Sequence, residues 1–164
     1  MDPVTVSILV GRPREDVFDY LADIANHLEF TDHFLTDFHL TREESVGRGA
    51  GAQFRIKAPL QRFSWMGVRF VEVDRPWRIV EVGRGGKYNR IRLMTVYTLE
   101  PGPDDTTRVE LSTETVPATP TDRLMELFGA RIWTRRQNGR ALRRLRSILE
   151  DGTRRGARAT VAAR

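Results

Sequence analysis

No cysteine occurs among the 164 residues, which excludes disulfides, thiolate metal sites and cysteine nucleophiles. No stretch approaches the roughly 20 apolar residues that a membrane-crossing helix needs, so membrane insertion is not expected. The opening Met1-Asp2-Pro3-Val4 has no basic region leading into an apolar run. No secretory signal is read there, and a cytoplasmic location is expected. Lysine is scarce: Lys57 and Lys87 are the two lysines among 27 basic residues. Acids are missing from residues 152–164, where Arg154, Arg155, Arg158 and Arg164 supply +4 of the net charge of +5, leaving +1 for the preceding 151 residues. The basic balance therefore belongs to a Gly/Ala/Arg tail that reads as disordered. It gives little reason to expect a nucleic-acid partner, and a nucleic-acid or membrane-surface binder working through those arginines ranks third among the functions considered.

What remains is ordinary globular material, 40% hydrophobic and 30% charged, enough for one domain over residues 1–151. Val4, Val6, Ile8 and Val10 alternate with polar residues as a half-buried strand does. Gly11-Arg12-Pro13 breaks it, Glu15 and Asp16 suit a first helical turn, and Val17, Phe18, Leu21, Ile24 and Ala25 trace an amphipathic helix. Leu28, Phe30, Phe34 and Leu35 mark a second short helix or a packed loop. From Phe38 onward six strands are expected, at 38–45, 52–58, 63–74, 77–83, 88–100 and 107–116, separated by Gly- and Pro-rich turns. Within 88–100, Ile91, Leu93, Thr95, Tyr97 and Leu99 share a face; within 107–116, Val109, Leu111, Thr113 and Thr115 do.

Pro120–Asp151 has the longest helical period in the chain. Leu124, Leu127, Phe128, Ala141, Leu142, Leu145, Ile148 and Leu149 form its apolar stripe, with Thr119 as a cap and Gly152 just beyond its end. Its length implies a rod of roughly 45 Å. The middle of the stripe is polar: Arg131, Thr134, Arg135 and Asn138 stand where core side chains would continue. Such a helix is expected to close over a space. The alternative is a bend near Gly129 or Gly139 that lets the arginines reach solvent; Trp133 projects outward on the same wheel.

One strand, two short helices, six strands joined by short turns and one long helix imply an α+β helix-grip arrangement. A curved seven-stranded antiparallel sheet wraps around the C-terminal helix, with the two short helices between strands 1 and 2. The order, together with Arg12-Pro13-Arg14-Glu15-Asp16-Val17-Phe18-Asp19-Tyr20-Leu21-Ala22-Asp23, Gly47-Arg48-Gly49-Ala50 and Asp74-Arg75-Pro76-Trp77-Arg78-Ile79-Val80-Glu81, resembles the START-related superfamily of polyketide cyclases, dehydrases and lipid-transport proteins. The resemblance covers residues 3–150. It implies a hydrophobic cavity between helix and sheet that holds a small apolar or amphipathic molecule, with no cofactor.

The expected ligand-binding residues are Trp65, Arg69, Thr95, Tyr97, Thr113, Arg131, Thr134 and Asn138, a few polar groups converging in a mostly apolar pocket. An inward arginine would favour a carboxylate, phenolate or carbonyl on the ligand. The leading expectation is a carrier or sensor. The alternative is a polyketide aromatase/cyclase or dehydratase in which Arg69 and Tyr97 polarise carbonyls; these residues do not align one by one onto a catalytic motif. His27, His33 and His39, spaced by six, lack a metal-ligand spacing, and no metal is expected. They read as surface or satisfied histidines, with His27 or His33 as the alternative general base at a cavity entrance. Gly47-Arg48-Gly49-Ala50-Gly51 precedes a strand and so reads as a hairpin turn; a phosphate loop would open a helix. Pairing of two copies is left open.

Overall fold

A computed structural model of the chain describes residues 2–57, 65–116, 129–153 and 155–161. Seven strands, β1 (Val4–Val10), β2 (Leu35–Leu40), β3 (Gly51–Ile56), β4 (Trp65–Asp74), β5 (Arg78–Gly85), β6 (Ile91–Pro101) and β7 (Thr107–Val116), form one antiparallel sheet in the order β1-β7-β6-β5-β4-β3-β2. Between β1 and β2 lie α1 (Arg14–Leu21), a short turn of 3-10 helix at Ile24–Asn26, and α2 (His27–Thr31). The last helix, α3, is Arg131–Asp151. The sheet curls into a half-barrel with α3 at its concave side, the helix-grip fold.

Alternation decides the faces where strands are regular. Thr95, Tyr97 and Leu99 of β6 and Val109, Leu111 and Thr113 of β7 are buried, on the faces their spacing predicts. β4 departs from this pattern. The 63–74 reading placed Trp65 on the same face as Val71 and Val73, with Phe63 outside the described residues. Instead Met66, Val68 and Phe70 are buried, whereas Trp65 and Arg69 are exposed. A bulge between Phe70 and Glu72 inserts one residue, so Val73 packs on the core although its parity is opposite to that of Phe70. A parity count carried through a bulge assigns every residue beyond it to the wrong face.

The second strand also differs from expectation, running over Leu35–Leu40 where 38–45 was read. The turn of Gly47 and Gly49, both at positive φ (80° and 90°), connects it to β3.

Of the expected Pro120–Asp151 helix, the Thr119 cap, Pro120, Leu124, Leu127 and Phe128 lie outside the described residues. Gly129 has φ 101°, which no α-helical residue adopts, and the described helix starts two residues later. Its 21 residues make a rod of about 32 Å. Ala141, Leu142, Leu145 and Ile148 are buried against the core, and the helix packs chiefly on β1 and α2. Gly152 closes it in the left-handed conformation, its N–H donating to the Ile148 carbonyl and the Thr153 N–H to the Ser147 carbonyl.

Two of the segments that carry the family resemblance meet in space. Arg75 donates two bonds of 2.8 Å to the Asp19 carboxylate, and the Arg14 guanidinium lies 3.6 Å from the centre of the Trp77 ring. They lock α1 to the β4–β5 turn.

Residues 155–161, expected within a disordered tail, are laid against the fold. The Gly156 N–H donates to the Glu29 carbonyl (3.0 Å), the Ala159 N–H to the Ala25 carbonyl (2.9 Å) and the Leu40 N–H to the Thr160 carbonyl (2.9 Å). Ala159 is buried, Arg155 pairs with Glu29 at 3.2 Å, and Arg158 pairs with Asp23. Composition predicts disorder from low hydrophobicity; here backbone bonds and ion pairs to two largely covered acids, Glu29 and Asp23, hold the segment.

Candidate functional site

Strand register sets a row of inward side chains across the concave face. Phe70 stands opposite Glu81, Glu81 opposite Thr95, Thr95 opposite Thr113, and Thr113 opposite Val4. The two ends of this row are apolar and its middle is polar, and all five side chains are buried. One step toward the packed end of the sheet, Tyr97 stands between Ile79 and Leu111. On the other side of the row Leu93, partly buried, sits between Gly83 and Thr115.

Two helices cover the row. Asn138 of α3 donates to the Thr113 hydroxyl at 2.9 Å, both side chains buried. Over β5 and β6 the cover is α2, whose His27 ring packs against Phe30, Phe70 and Tyr97 with centroids 5.4, 5.6 and 5.5 Å apart. His27 Nε2 lies 2.8 Å from the Leu21 carbonyl, an acceptor, so Nε2 carries the hydrogen and Nδ1 presents a lone pair. That lone pair faces the Glu81 carboxyl, with Nδ1 3.9 Å from Oε2.

Burial disfavours charge on both groups. It lowers the His27 pKa to about 4 and raises that of Glu81 to about 7. Near neutrality His27 is uncharged and Glu81 is balanced between acid and carboxylate. Burial, and then the neighbouring Glu81, push the Tyr97 hydroxyl well above its ordinary value, so it is a hydrogen-bond donor. Thr113 is paired with Asn138, and Tyr20, on the far side of α2, donates to Glu29 at 2.6 Å. Among the described residues no such bond engages the Tyr97 hydroxyl, the Thr95 hydroxyl or the Glu81 carboxyl. These three groups retain hydrogen-bonding capacity inside an otherwise apolar enclosure.

The residues expected to bind ligand thus separate into two sets. Thr95, Tyr97, Thr113 and Asn138 come together on the concave face. Trp65 and Arg69 are exposed on the opposite face of β4, where Trp65 packs against His39 and Arg55. Arg131 and Arg135, expected to point at the sheet, are exposed, and Arg131 pairs with Asp2 at 3.7 Å. Thr134 is half-buried. Trp133 packs edge-on against Phe34, 5.9 Å between ring centroids.

Glu81 is a site residue that the sequence reading did not include; β5 buries it on the same face as Ile79, Gly83 and Gly85. His27, considered as a base at a cavity entrance, is fully enclosed. Among the described residues no group of His, Asp and Glu side chains is arranged to hold a metal.

Solved structures share this architecture. The protein TTHA0849 from Thermus thermophilus superposes with a TM-score of 0.71 at 12% identity, covering 92% of this chain and 99% of its own. Truncated norcoclaurine synthase from Thalictrum flavum gives 0.69 at 13% identity, with 92% and 94% covered. DynU16, a protein in the dynemicin biosynthetic locus, gives 0.63 at 15% identity, covering 95% of this chain and 50% of its own. At these identities the likeness concerns the fold. No curated protein matches the sequence. The model of the family described as polyketide cyclase / dehydrase and lipid transport matches residues 1–150. The chain belongs to that family.

Proposed function

We propose that the protein binds a small hydrophobic or amphipathic molecule, lipid- or polyketide-like, between the concave sheet face and the helices, as a carrier or sensor. The observation that supports this most is the set of open hydrogen-bonding groups at Glu81, Thr95 and Tyr97 within apolar walls. Buried polar groups are normally satisfied, and a mostly apolar enclosure with a few unsatisfied groups is the usual form of a small-molecule site. A ligand carbonyl or hydroxyl would accept from Tyr97 and Thr95, and its hydrocarbon would lie against Phe70, Leu93 and Leu111.

Native mass spectrometry of protein purified from its own host tests for a retained molecule. Competition by long-chain carbonyl and hydroxyl compounds against an environment-sensitive dye then measures affinity. Tyr97→Phe and Thr95→Val, each deleting one hydroxyl, are expected to weaken such compounds by about 5- to 30-fold while leaving their unsubstituted hydrocarbon analogues unchanged. Equal affinity of the variants for both kinds of compound would remove the polar row from the site.

A second reading, a polyketide aromatase/cyclase or dehydratase, is favoured by one observation: Glu81 ionises near neutrality beside Tyr97 and His27. In that reaction the Glu81 carboxylate accepts the proton α to a carbonyl whose oxygen is hydrogen-bonded by Tyr97. The enolate carbon attacks a second carbonyl of the same chain, and the resulting alkoxide takes the proton back from Glu81. Arg69, on the outer face, has no part in it. Glu81→Gln should abolish such turnover while retaining binding; undiminished turnover in this variant excludes Glu81 as the base.

A further inference from the structure

Among the described residues the large exposed apolar side chains, apart from Met94 within β6, divide between the two ends of the molecule. Leu9, Val46, Trp77 and Val161 lie toward the end where α1 and the tail pack. Trp65, Tyr88, Val116 and Ile132 lie at the other, and their proximity follows from register. Met66, next to Trp65, is opposite Gly85, Gly85 is opposite Ile91, and Arg92 is opposite Val116. Val4 is opposite Thr113, which brings Asp2, and with it Arg131, to the same rim. At about 4.8 Å per strand the rim from β4 to β7 spans roughly 15 Å. Tyr88 is 73% exposed and Ile132 is 61% exposed, both far beyond what packing against the fold allows.

Among the described residues the charge at this rim is predominantly basic. From Val82 to Leu99 the chain carries Arg84, Lys87, Arg90 and Arg92 and no acid. From Ala130 to Leu149 it carries Arg131, Arg135, Arg136, Arg140, Arg143, Arg144 and Arg146, again without an acid. Arg144 and Arg146 pair with Asp32 and Glu150, away from the rim. The Tyr88 ring is flanked by Lys87 Nζ at 5.2 Å and the Arg90 guanidinium at 5.0 Å. Ile132, Arg135, Arg136, Gly139 and Arg143 line an open groove of about 360 Å³ along the outer side of α3. Of the nearby acids, Asp2 and Asp37 are engaged by Arg131 and Arg55, and Glu114 stands one step in from the edge, opposite Met94.

We infer that this rim, with Tyr88, Trp65, Val116 and Ile132 set among Arg84, Lys87, Arg90, Arg92, Arg131, Arg135 and Arg136, docks peripherally on an anionic lipid bilayer. Aromatic and aliphatic tips interleaved with cations match the headgroup boundary of a bilayer, where amphipathic rings settle and basic side chains meet anionic headgroups. A nucleic-acid surface would use the cations and stacking rings but gives no reason for exposed Val116 and Ile132. No described helix is long and apolar enough to cross a membrane, so the association is with the surface. The inference does not depend on what the concave face binds.

Sedimentation of the full chain with sucrose-loaded phosphatidylcholine vesicles, with and without phosphatidylglycerol, tests it, and a short DNA duplex at the same salt serves as the competing polyanion. The chain should pellet with anionic vesicles, fail to pellet with neutral ones, and be released as salt rises. With each basic contact contributing roughly fivefold, Lys87→Glu/Arg90→Glu should reduce binding by at least about 25-fold. Tyr88→Ala should reduce it less, at unchanged salt dependence, and both variants should keep the wild-type melting transition. Equal binding to neutral and anionic vesicles, tighter binding to the duplex than to anionic vesicles, or undiminished binding of Lys87→Glu/Arg90→Glu would each overturn the proposal.

Discussion

The two halves of α3 are built from the same kind of sequence and do different things. From Asn138 to Ile148 a buried residue recurs every three or four positions, and Leu142, Leu145 and Ile148 are almost completely enclosed. From Arg131 to Arg136 no residue is buried, although Ile132 and Trp133 are as apolar as anything in the second half. The difference lies in what each half faces. The second half buries Ala141, Leu142, Leu145 and Ile148 in the core, whereas in the first half Trp133 packs edge-on against Phe34 and the arginines are exposed, Arg131 pairing with Asp2. A helix is stabilised by the surface it covers more than by its own composition. Because α3 lies toward β1, the polar row on β5 and β6 is left to α2, and His27 takes the place expected for the arginines of the long helix.

The largest effect should separate the two halves. Leu145→Ala removes a fully enclosed side chain and is expected to cost about 2–5 kcal/mol in denaturant unfolding, against less than about 0.5 kcal/mol for Ile132→Ala. Comparable losses from the two substitutions would end the distinction between a buried half and an exposed one.

Next in size is a pH effect that tests the placement of α2 over Glu81. The folded pKa of Glu81, about 7, lies above its ordinary 4.5, so the folded state holds an extra proton in that window and stability falls as pH rises through it. The folded pKa of His27, about 4, lies below its ordinary 6.5, so the unfolded state holds the extra proton there and stability rises with pH. Each contribution is about 3 kcal/mol, and over the shared range of about 4.5 to 6.5 they oppose one another. The wild type should therefore show little slope from this pair. His27→Gln should expose a decline with pH, and Glu81→Gln a rise, in unfolding free energies measured across a buffer series. Two flat variants would mean that neither group is enclosed as described.

The smallest of the three concerns the junction between the halves. Asn138→Ala leaves the Thr113 hydroxyl buried without its donor and should cost about 1–3 kcal/mol; adding Thr113→Val to that variant should recover part of the loss. A double variant less stable by the sum of both single losses would show that the bond contributes nothing.

Regular segments were legible in the chain itself. β1 and β7 occupy their expected ranges, 4–10 and 107–116, and the inward faces of β6 and β7 follow from alternation because every residue there obeys the period of two. Two of the three polar members of the row, Thr95 and Thr113, were readable for that reason, and so was Asn138, which keeps phase with Ala141, Leu142 and Leu145. Trp65 and Arg69 were misassigned because the bulge after Phe70 leaves no mark in composition. Glu81 was overlooked because one acid in a strand is as common on an outer face as on an inner one, and the register with Thr95 is what assigns its side.

The amino-acid order by itself determined the order of strands and helices, the family, and the apolar seam of α3, since each of these follows from contacts between near neighbours repeating at a fixed period. Tertiary structure alone decided which helix covers the polar row, that His27 meets Glu81, that the arginine-rich segment 155–161 lies against α2 and β2, and that Trp65 and Tyr88 share a rim with Arg84, Lys87, Arg90 and Arg92. These depend on register and on the position of α3 across the sheet. Both are set by the packing of segments remote in sequence, for which no local period exists.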